Sequence, residues 1–133
     1  MELKAKGSTS IKALLVEDIG VCRLVLSTFL LRLHCEVTLA MNGKEAIDLF
    51  LEGKFDIVLF DKDMPVMTGP EAIVKIRAMG ETDVKIVGVS ADNHAMEAFI
   101  SAGADLFVPK PIRMEALGPI IQDVINKKTN DMV

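Results

Sequence analysis

The sequence predicts an α/β domain in which helices flank a parallel β-sheet. Five short apolar runs recur along the chain, and segments with apolar residues at helical spacing separate them. Strands that alternate with helices in this way indicate a parallel sheet with right-handed crossovers. The length of 133 residues suits one domain, and the share of 50% hydrophobic and 26% charged residues is typical of a globular protein.

Five segments are candidates for the strands of this sheet. They are residues 13–16, 37–39, 57–60, 86–89 and 106–108. The first, third and fourth are near-continuous runs of β-branched residues or leucine. Strands that are covered on both faces have this composition, so the sheet is expected to lie between two layers of helices.

Two of the predicted helices begin with the residue spacing of a capping box. Asn42 precedes Glu45 by three positions, and Thr68 stands in the same relation to Glu71. Pro70 lies in the first turn of the second of these helices, where proline is tolerated.

The other helices are predicted from their apolar residues. Residues 21–33 are apolar nearly all round, which predicts a largely buried first helix. Met96, Phe99 and Ile100 mark a fourth helix, and a stripe from Leu117 to Ile125 marks the last.

The pattern predicts one domain over residues 11–127, with flexible tails at 1–10 and 128–133. The net charge of −4 and the lack of a long Lys or Arg run argue against a nucleic-acid partner. No secretory signal or membrane-length apolar stretch is visible. Cys22 and Cys35 both lie in apolar segments, where a reduced thiol acts as a small hydrophobe. We therefore expect an intracellular monomer without membrane contact.

Polar side chains follow four of the predicted strands. They are Glu17 and Asp18 after the first strand, Asp61 after the third, Ser90 after the fourth and Lys110 after the fifth. Parallel strands present their carboxyl ends at one edge of the sheet, where such folds bind ligands. The sequence therefore predicts that three carboxylates, a hydroxyl and an ammonium group converge there.

Converging carboxylates repel one another, and a hard divalent cation offsets that repulsion. Mg²⁺ prefers oxygen ligands and is often bound by a few carboxylates together with a phosphate oxygen. Lys110 and Ser90 would contact phosphoryl oxygens, and Asp61 could act as the covalent nucleophile. Taken singly, each residue has a simpler interpretation as a helix cap, a turn or a loop carboxylate. Their joint occurrence at successive strand ends favours a phosphoryl-transfer site.

At these positions the chain resembles the receiver domain of two-component response regulators. The resemblance covers residues 11–127 and rests on six short motifs. They are Leu-Val-Glu-Asp at 15–18, Asn-Gly-x-Glu-Ala at 42–46, Asp-x-Asp-Met-Pro-x-Met-x-Gly at 61–69, Ser-Ala at 90–91, Ala-Gly-Ala at 102–104 and Lys-Pro at 110–111. It implies a flavodoxin-like sheet in strand order 2-1-3-4-5 with five helices.

The resemblance also assigns roles to individual residues. Asp61 would be the phosphoacceptor and, with Asp18, a direct ligand of Mg²⁺; Mn²⁺ is a second candidate metal. The backbone carbonyl of Asp63 would be a further ligand, and Glu17 would act through a metal-bound water. Lys110 would pair with the phosphoryl group.

Ser90 would move to bond the phosphoryl group, and Phe107 would turn inward at the position of an aromatic switch. Phe107 stands where Tyr is frequent, so this switch lacks a phenol hydroxyl. Two acidic residues, Asp63 and Asp92, are expected to tune dephosphorylation through the access of water.

Residues 61–65 and 86–90 resemble the stand-alone type-C response regulators of plant phosphorelays, which act in the cytokinin pathway. This implies phosphoryl transfer from a histidine-containing phosphotransfer protein or a histidine kinase, in the cytoplasm or the nucleus. Such a protein catalyses its own phosphorylation and dephosphorylation without being a turnover enzyme. The last helix is expected to end near Lys127 without a DNA-binding output domain, so relay, phosphate drainage and protein–protein signalling stay open.

Three alternatives fit these residues less well than a receiver does. A phosphatase of the haloacid-dehalogenase type also uses an Asp-x-Asp sequence, but after its first strand. A Ca²⁺-binding loop that starts at Asp61 would need Gly at position 66 and Glu at position 72, where the chain has Val66 and Ala72. A pseudo-receiver that only binds partners would not need an intact set of acidic residues, Ser90 and Lys110.

Overall fold

The computed structural model of the protein describes residues 10–131, which form a five-stranded parallel sheet with helices on both faces. The elements alternate along the chain. In order they are β1 Ile11–Val16, α1 Gly20–Arg32, β2 Cys35–Ala40, α2 Gly43–Glu52, β3 Ile57–Asp61, α3 Gly69–Ala78, β4 Lys85–Ser90, α4 Ala95–Ala102, β5 Leu106–Pro109 and α5 Met114–Asp131. The predicted α/β class is confirmed.

The strand order across the sheet is β2-β1-β3-β4-β5, and every pairing is parallel, as predicted. At the carboxyl edge, Val16 of β1 pairs with Phe60 of β3, and Ser90 of β4 pairs with Pro109 of β5. This register brings the residues that follow β1, β3, β4 and β5 to one edge of the sheet.

Two apolar clusters cover the two faces of the sheet. Alternate strand residues such as Val16 and Phe60 pack with α2, α3 and α4, whereas Leu15 and Leu59 pack with α1 and α5. The strands β1, β3 and β4 are buried almost throughout, in agreement with their continuous apolar sequences.

The prediction that the first helix is largely buried was wrong. Only Leu26 and Leu30 of α1 are buried, while Val21 is 67% exposed and Leu24 is 66% exposed. One face of α1 packs against the sheet, and the described residues leave the opposite apolar face uncovered.

Of the two predicted capping boxes, the one at α3 is complete and the one at α2 is only half formed. At α3 both halves form, since the Thr68 side chain accepts from the Glu71 N–H and the Glu71 carboxylate accepts from the Thr68 N–H. At α2 the Asn42 side chain accepts from the Glu45 N–H, but the Glu45 carboxylate accepts from Met41 instead of Asn42.

The last helix is longer than predicted, because α5 continues past Lys127 to Asp131. Residues 128–131 are therefore helical and not a tail. Lys128 donates to the backbone carbonyl of Ser10 and to the Asp56 carboxylate, and these bonds attach the final turns to the body of the domain. Most of the predicted N-terminal tail, residues 1–9, and also residues 132–133 lie outside the described residues. Within residues 10–131, no helix combines the length and the apolar character that a membrane span requires.

Candidate functional site

Three carboxylates meet at the carboxyl edge of the sheet. Glu17 and Asp18 follow β1 and Asp61 ends β3, and each places a carboxylate oxygen within 4.8 Å of the other two. Glu17 is 1% exposed and Asp61 is 8% exposed. Among residues 10–131 this is the acidic cluster whose geometry suits a metal ion.

Lys110 reaches into this cluster from the end of β5. Its ammonium group lies 2.8 Å from Oε1 of Glu17 and 3.1 Å from Oδ1 of Asp61. The backbone N–H of Lys110 donates to the carbonyl of Ser90, with a distance of 2.9 Å, which joins the ends of β4 and β5. The structure thus brings together residues separated by 93 positions in sequence.

Burial and charge act on this site in opposite directions. Burial raises the pKa of Glu17 and the nearby Asp61 adds to the rise, whereas the hydrogen bond from Lys110 opposes it. Burial alone would lower the pKa of Lys110, but its hydrogen bonds to Glu17 and Asp61 outweigh that effect and raise it. Lys110 therefore stays charged at neutral pH and offsets part of the carboxylate repulsion.

One oxygen in the cluster has no hydrogen-bond partner. Oδ1 of Asp18 is buried, and no donor within the described part of the chain reaches it. A buried carboxylate oxygen without a partner is costly unless a cation or a donor meets it. This atom belongs to one of the three carboxylates that meet here, and their oxygens form a donor set that fits the oxygen preference of Mg²⁺.

Ser90 lies at the end of β4, where a hydrogen bond holds its side chain. Its Oγ accepts from the backbone N–H of Asp92 at 3.0 Å. The Asp92 carboxylate in turn accepts from the His94 N–H at 2.9 Å and pairs with the ammonium of Lys62 at 3.2 Å. The pKa of Asp92 is lowered by the bond from His94 and then by Lys62.

Two further predicted site residues, Asp63 and Phe107, also lie outside the carboxylate cluster. The Asp63 side chain is exposed. The metal contact predicted for its backbone carbonyl stays a prediction. The ring of Phe107 is half-buried, and its centroid lies 6.0 Å from that of the buried Phe99. Phe99 itself packs tightly over Gly88, where an added Cβ would lie 2.3 Å from its ring.

Sequence reasoning missed two basic residues near the site, Lys62 and Arg23. Lys62 directly follows Asp61, and this adjacency was the available signal. Arg23 lies five positions after Asp18, and its guanidinium bonds the backbone carbonyls of Glu17 and Asp18. Neither contact follows from residue spacing alone, because each depends on how the loop at the sheet edge folds.

An apolar cavity of about 360 Å³ opens beside the cluster. Val21 and Val25 of α1 line one side, and Pro111 and Ile112 line the other. Lys110 borders both the cavity and the carboxylates. A partner that fills this groove would therefore lie next to Asp61.

Comparison with known proteins identifies a consistent set of relatives. Residues 13–122 match the response regulator receiver domain family. The two-component response regulator ORR42 of Oryza sativa subsp. japonica is 57% identical over 129 residues, which cover 96% of each chain. Two-component response regulator 24 of Arabidopsis thaliana is 34% identical and is matched over 88% of its length, with 90% of this chain covered.

Solved structures give the same result. The receiver domain of the sensor histidine kinase PA1611 from Pseudomonas aeruginosa PAO1 superimposes with a TM-score of 0.80 at 30% identity, over 88% of this chain and 98% of the other. That structure has a magnesium ion coordinated in its active-site cleft. A chain in the co-crystal structure of the Saccharomyces cerevisiae histidine phosphotransfer protein Ypd1 with the Ssk1 receiver domain gives a TM-score of 0.82 at 26% identity, with coverages of 90% and 91%.

Proposed function

Because the chain belongs to the response regulator receiver domain family, we propose that it accepts a phosphoryl group on Asp61 from a phosphohistidine donor. The observation that carries this proposal is the position of Asp61 at the end of β3, where Lys110 lies 3.1 Å from one of its carboxylate oxygens. The acidic pair of Glu17 and Asp18 lies beside it.

In the proposed reaction, a carboxylate oxygen of Asp61 attacks the phosphorus of the donor. The new bond joins this oxygen to phosphorus, the bond between phosphorus and the donor imidazole nitrogen breaks, and the imidazole leaves with the electron pair and takes up a proton. Lys110 would pair with a phosphoryl oxygen, and Ser90 would donate its hydroxyl to another. Positioning and charge stabilisation supply most of the catalysis in such transfers.

The acidic cluster would hold Mg²⁺, with Mn²⁺ as a second candidate, through Asp18, Asp61 and Glu17. The bound cation would offset the charge that gathers on the phosphoryl oxygens. The unpartnered Oδ1 of Asp18 supports this assignment, because it is a buried acceptor without a donor among the described residues. The predicted roles of the Asp63 carbonyl, and of Asp63 and Asp92 in dephosphorylation, belong to the same proposal.

The donor is a histidine-containing phosphotransfer protein or a histidine kinase, and we propose that it docks on α1. Val21, Leu24 and Val25 give α1 an exposed apolar face, and the neighbouring cavity leads to Lys110. A donor seated there would present its phosphohistidine to Asp61. Contiguous exposed apolar surface of this kind is typical of protein–protein contacts.

We further propose that the protein acts alone as a monomer in the cytoplasm or the nucleus, without binding nucleic acid or membrane. A place in the plant type-C class and in cytokinin signalling is part of the same proposal, and the support for it is the similarity to two-component response regulators of rice and Arabidopsis. The two free cysteines suit a reducing compartment. A signal would leave through the face of α4, β5 and α5, where Phe107 contacts Phe99.

The position of Asp61 argues against a phosphatase of the haloacid-dehalogenase type. Asp61 ends the third strand along the chain and not the first. The comparisons place the chain in a receiver family that matches residues 13–122.

The test is phosphoryl transfer from a radiolabelled histidine phosphotransfer protein, with and without Mg²⁺. We expect Mg²⁺-dependent label on the wild type and none on Asp61→Asn, whereas Asp48→Asn, a distant surface change, should behave as the wild type. Rapid loss of label from the donor without retention here, again only with Asp61, would indicate a phosphate drain. Equal label on wild type and Asp61→Asn would refute the proposal. If neither accepts label from this donor or from acetyl phosphate, the chain is a binding-only module.

A further inference from the structure

Arg23 lies in the second turn of α1, and its side chain folds back over the loop between β1 and α1. One guanidinium nitrogen donates to the carbonyl oxygen of Glu17 at 3.0 Å and to that of Asp18 at 3.3 Å. The side chain is half-buried. A single cationic side chain thus holds both carbonyl groups of the acidic pair.

Among residues 10–131, few other hydrogen bonds hold the backbone of this loop. Ile19 occupies the N-cap position of α1 and provides no side-chain capping bond, and the first turn contains no acidic residue. The Ile19 N–H donates to the Glu17 carboxylate at 3.3 Å, a long hydrogen bond. The Glu17 N–H donates to the carbonyl of Ala40 where the loop leaves β1, and the Arg23 N–H donates to the carbonyl of Ile19 where α1 begins.

The two carbonyls belong to the two peptide bonds on the C-terminal side of Glu17 and of Asp18. The peptide planes on either side of the Asp18 Cα are therefore fixed, and with them the direction of its Cβ. The carboxylate itself has a buried oxygen without a donor among residues 10–131. Because no hydrogen-bond donor among the described residues orients this oxygen, its position depends on the backbone.

We propose that Arg23 is a positioning residue for the divalent-cation site. It acts through the main chain, by holding Glu17 and Asp18 in the arrangement in which their carboxylates meet Asp61. This inference rests on the proposed function, since it assumes that the acidic cluster holds Mg²⁺.

Charge and position predict opposite effects when Arg23 is replaced. By charge alone, removal of a cation close to three carboxylates would strengthen the binding of Mg²⁺. By position, loss of the two hydrogen bonds would let the loop move and weaken that binding. Side chains that orient metal ligands indirectly typically change metal affinity by roughly 10–100-fold. The sign of the change therefore separates the two effects.

The experiment is a calorimetric titration of the full chain with Mg²⁺, for the wild type and three variants. Arg23→Met keeps the aliphatic stem and the helix propensity but removes every donor. Arg23→Lys keeps the charge with a different donor geometry. Arg32→Met, at the exposed end of the same helix, is the control.

We expect Mg²⁺ affinity to fall about tenfold in Arg23→Met, the low end of the range for indirect orientation, to fall less in Arg23→Lys, and to stay unchanged in Arg32→Met. Hydrogen exchange of the Ile19 amide, which donates to the Glu17 carboxylate, should accelerate in the same order when measured by NMR without metal. Thermal unfolding checks that each variant is folded, and Arg23→Lys provides the comparison if Arg23→Met is not.

Two results would overturn the inference. If the wild type binds Mg²⁺ and Arg23→Met binds it equally or more tightly, Arg23 does not position the site although the proposed function stands. If the wild type does not bind Mg²⁺, the metal site of the proposed function fails, and the inference fails with it.

Discussion

The ammonium group of Lys62 lies 3.2 Å from Oδ2 of Asp92, so that one ion pair joins the loops that follow β3 and β4. Asp92 also donates its backbone N–H to Oγ of Ser90. The residue after the proposed phosphoacceptor is thus connected through Asp92, by its carboxylate and its backbone N–H, to the hydroxyl that is expected to move upon phosphorylation.

Removal of this ion pair should shorten the lifetime of the phosphoryl group on Asp61. Lys62→Ala and Asp92→Ala should each open the approach of water and free Ser90. The pair is partly exposed and therefore weak, so we expect a change of only a few-fold in the rate. Autodephosphorylation rates of both single variants and of the double variant measure the effect, and the double variant should be no faster than the singles.

Lys44→Ala is the matched control, because Lys44 forms an exposed ion pair with Asp48 on α2. Unchanged rates in Lys62→Ala and Asp92→Ala would show that the loop contact has no role in phosphoryl lifetime. Asp63→Asn belongs in the same series, and an unchanged rate there would reject the predicted tuning role of Asp63.

Gly69 should tolerate no side chain. A Cβ at this position would lie 2.1 Å from the backbone carbonyl oxygen of Asp61, and the Gly69 N–H already donates to the Lys62 carbonyl. Gly69→Ala should therefore lower the free energy of unfolding by about 1–3 kcal/mol, as overpacking does. Gly53→Ala is the control, because the space around Gly53 is open. Equal denaturant midpoints for the two variants, measured by circular dichroism, would contradict this close approach.

Cys35 should react far more slowly with alkylating reagents than Cys22. Burial raises the pKa of Cys35 to about 11, and Asp56 adds to the rise. The reactive thiolate is then only about 0.1% of the thiol at pH 8. Cys22 is partly exposed. Mass spectrometry of Cys22→Ser and Cys35→Ser after iodoacetamide treatment compares the two rates, and similar rates in the native state would show that Cys35 is accessible.

The capping box of α3 should give a pH-dependent contribution to stability. Hydrogen bonds with Thr68 lower the pKa of Glu71 below its ordinary value of 4.5, so the folded state favours the ionised form. This contribution is present above pH 4.5 and is lost as the pH falls through the lowered value. The stability difference between wild type and Glu71→Gln should therefore shrink on acidification. Glu52→Gln, at an exposed site on α2 without a hydrogen-bonded side chain among residues 10–131, is the matched substitution for comparison.

Thr68→Ala removes the other half of the same box. Its loss should cost about 1 kcal/mol at neutral pH, the typical value for an N-cap hydroxyl. Chemical denaturation at pH 7 checks this value, and an unchanged midpoint would mean that the helix start is held by its other contacts.

Much of the fold could be predicted from local pattern. Continuous apolar runs identified β1, β3 and β4, because a parallel sheet buries both faces of its strands. The convergence of Glu17, Asp18 and Asp61 followed from the rule that parallel strands end at one edge. These inferences succeeded because strand direction and face depend on the order and period of the residues.

The rest depends on which surfaces meet in three dimensions. The apolar residues of α1 predicted a buried helix. A helix that is apolar all round can still expose one face, and Val21 lies on the exposed face of α1. Two contacts depend on the conformation of loops: the hydrogen bonds of Arg23 to two carbonyls and the ion pair of Lys62 with Asp92. The spacing of apolar residues does not predict loop conformation. The end of α5 was missed for a similar reason, since Lys128 is held by contacts with Ser10 and Asp56.

The central place of β1 in the sheet has a consequence for synthesis on the ribosome. β1 is translated first but pairs with β2 on one side and with β3 on the other. Until residues 57–61 have left the exit tunnel, one side of a mainly apolar strand has no partner, and unpaired apolar edges promote association with other chains. Nascent chains that stall before Ile57 leaves the exit tunnel should therefore depend more on a chaperone than chains that stall later.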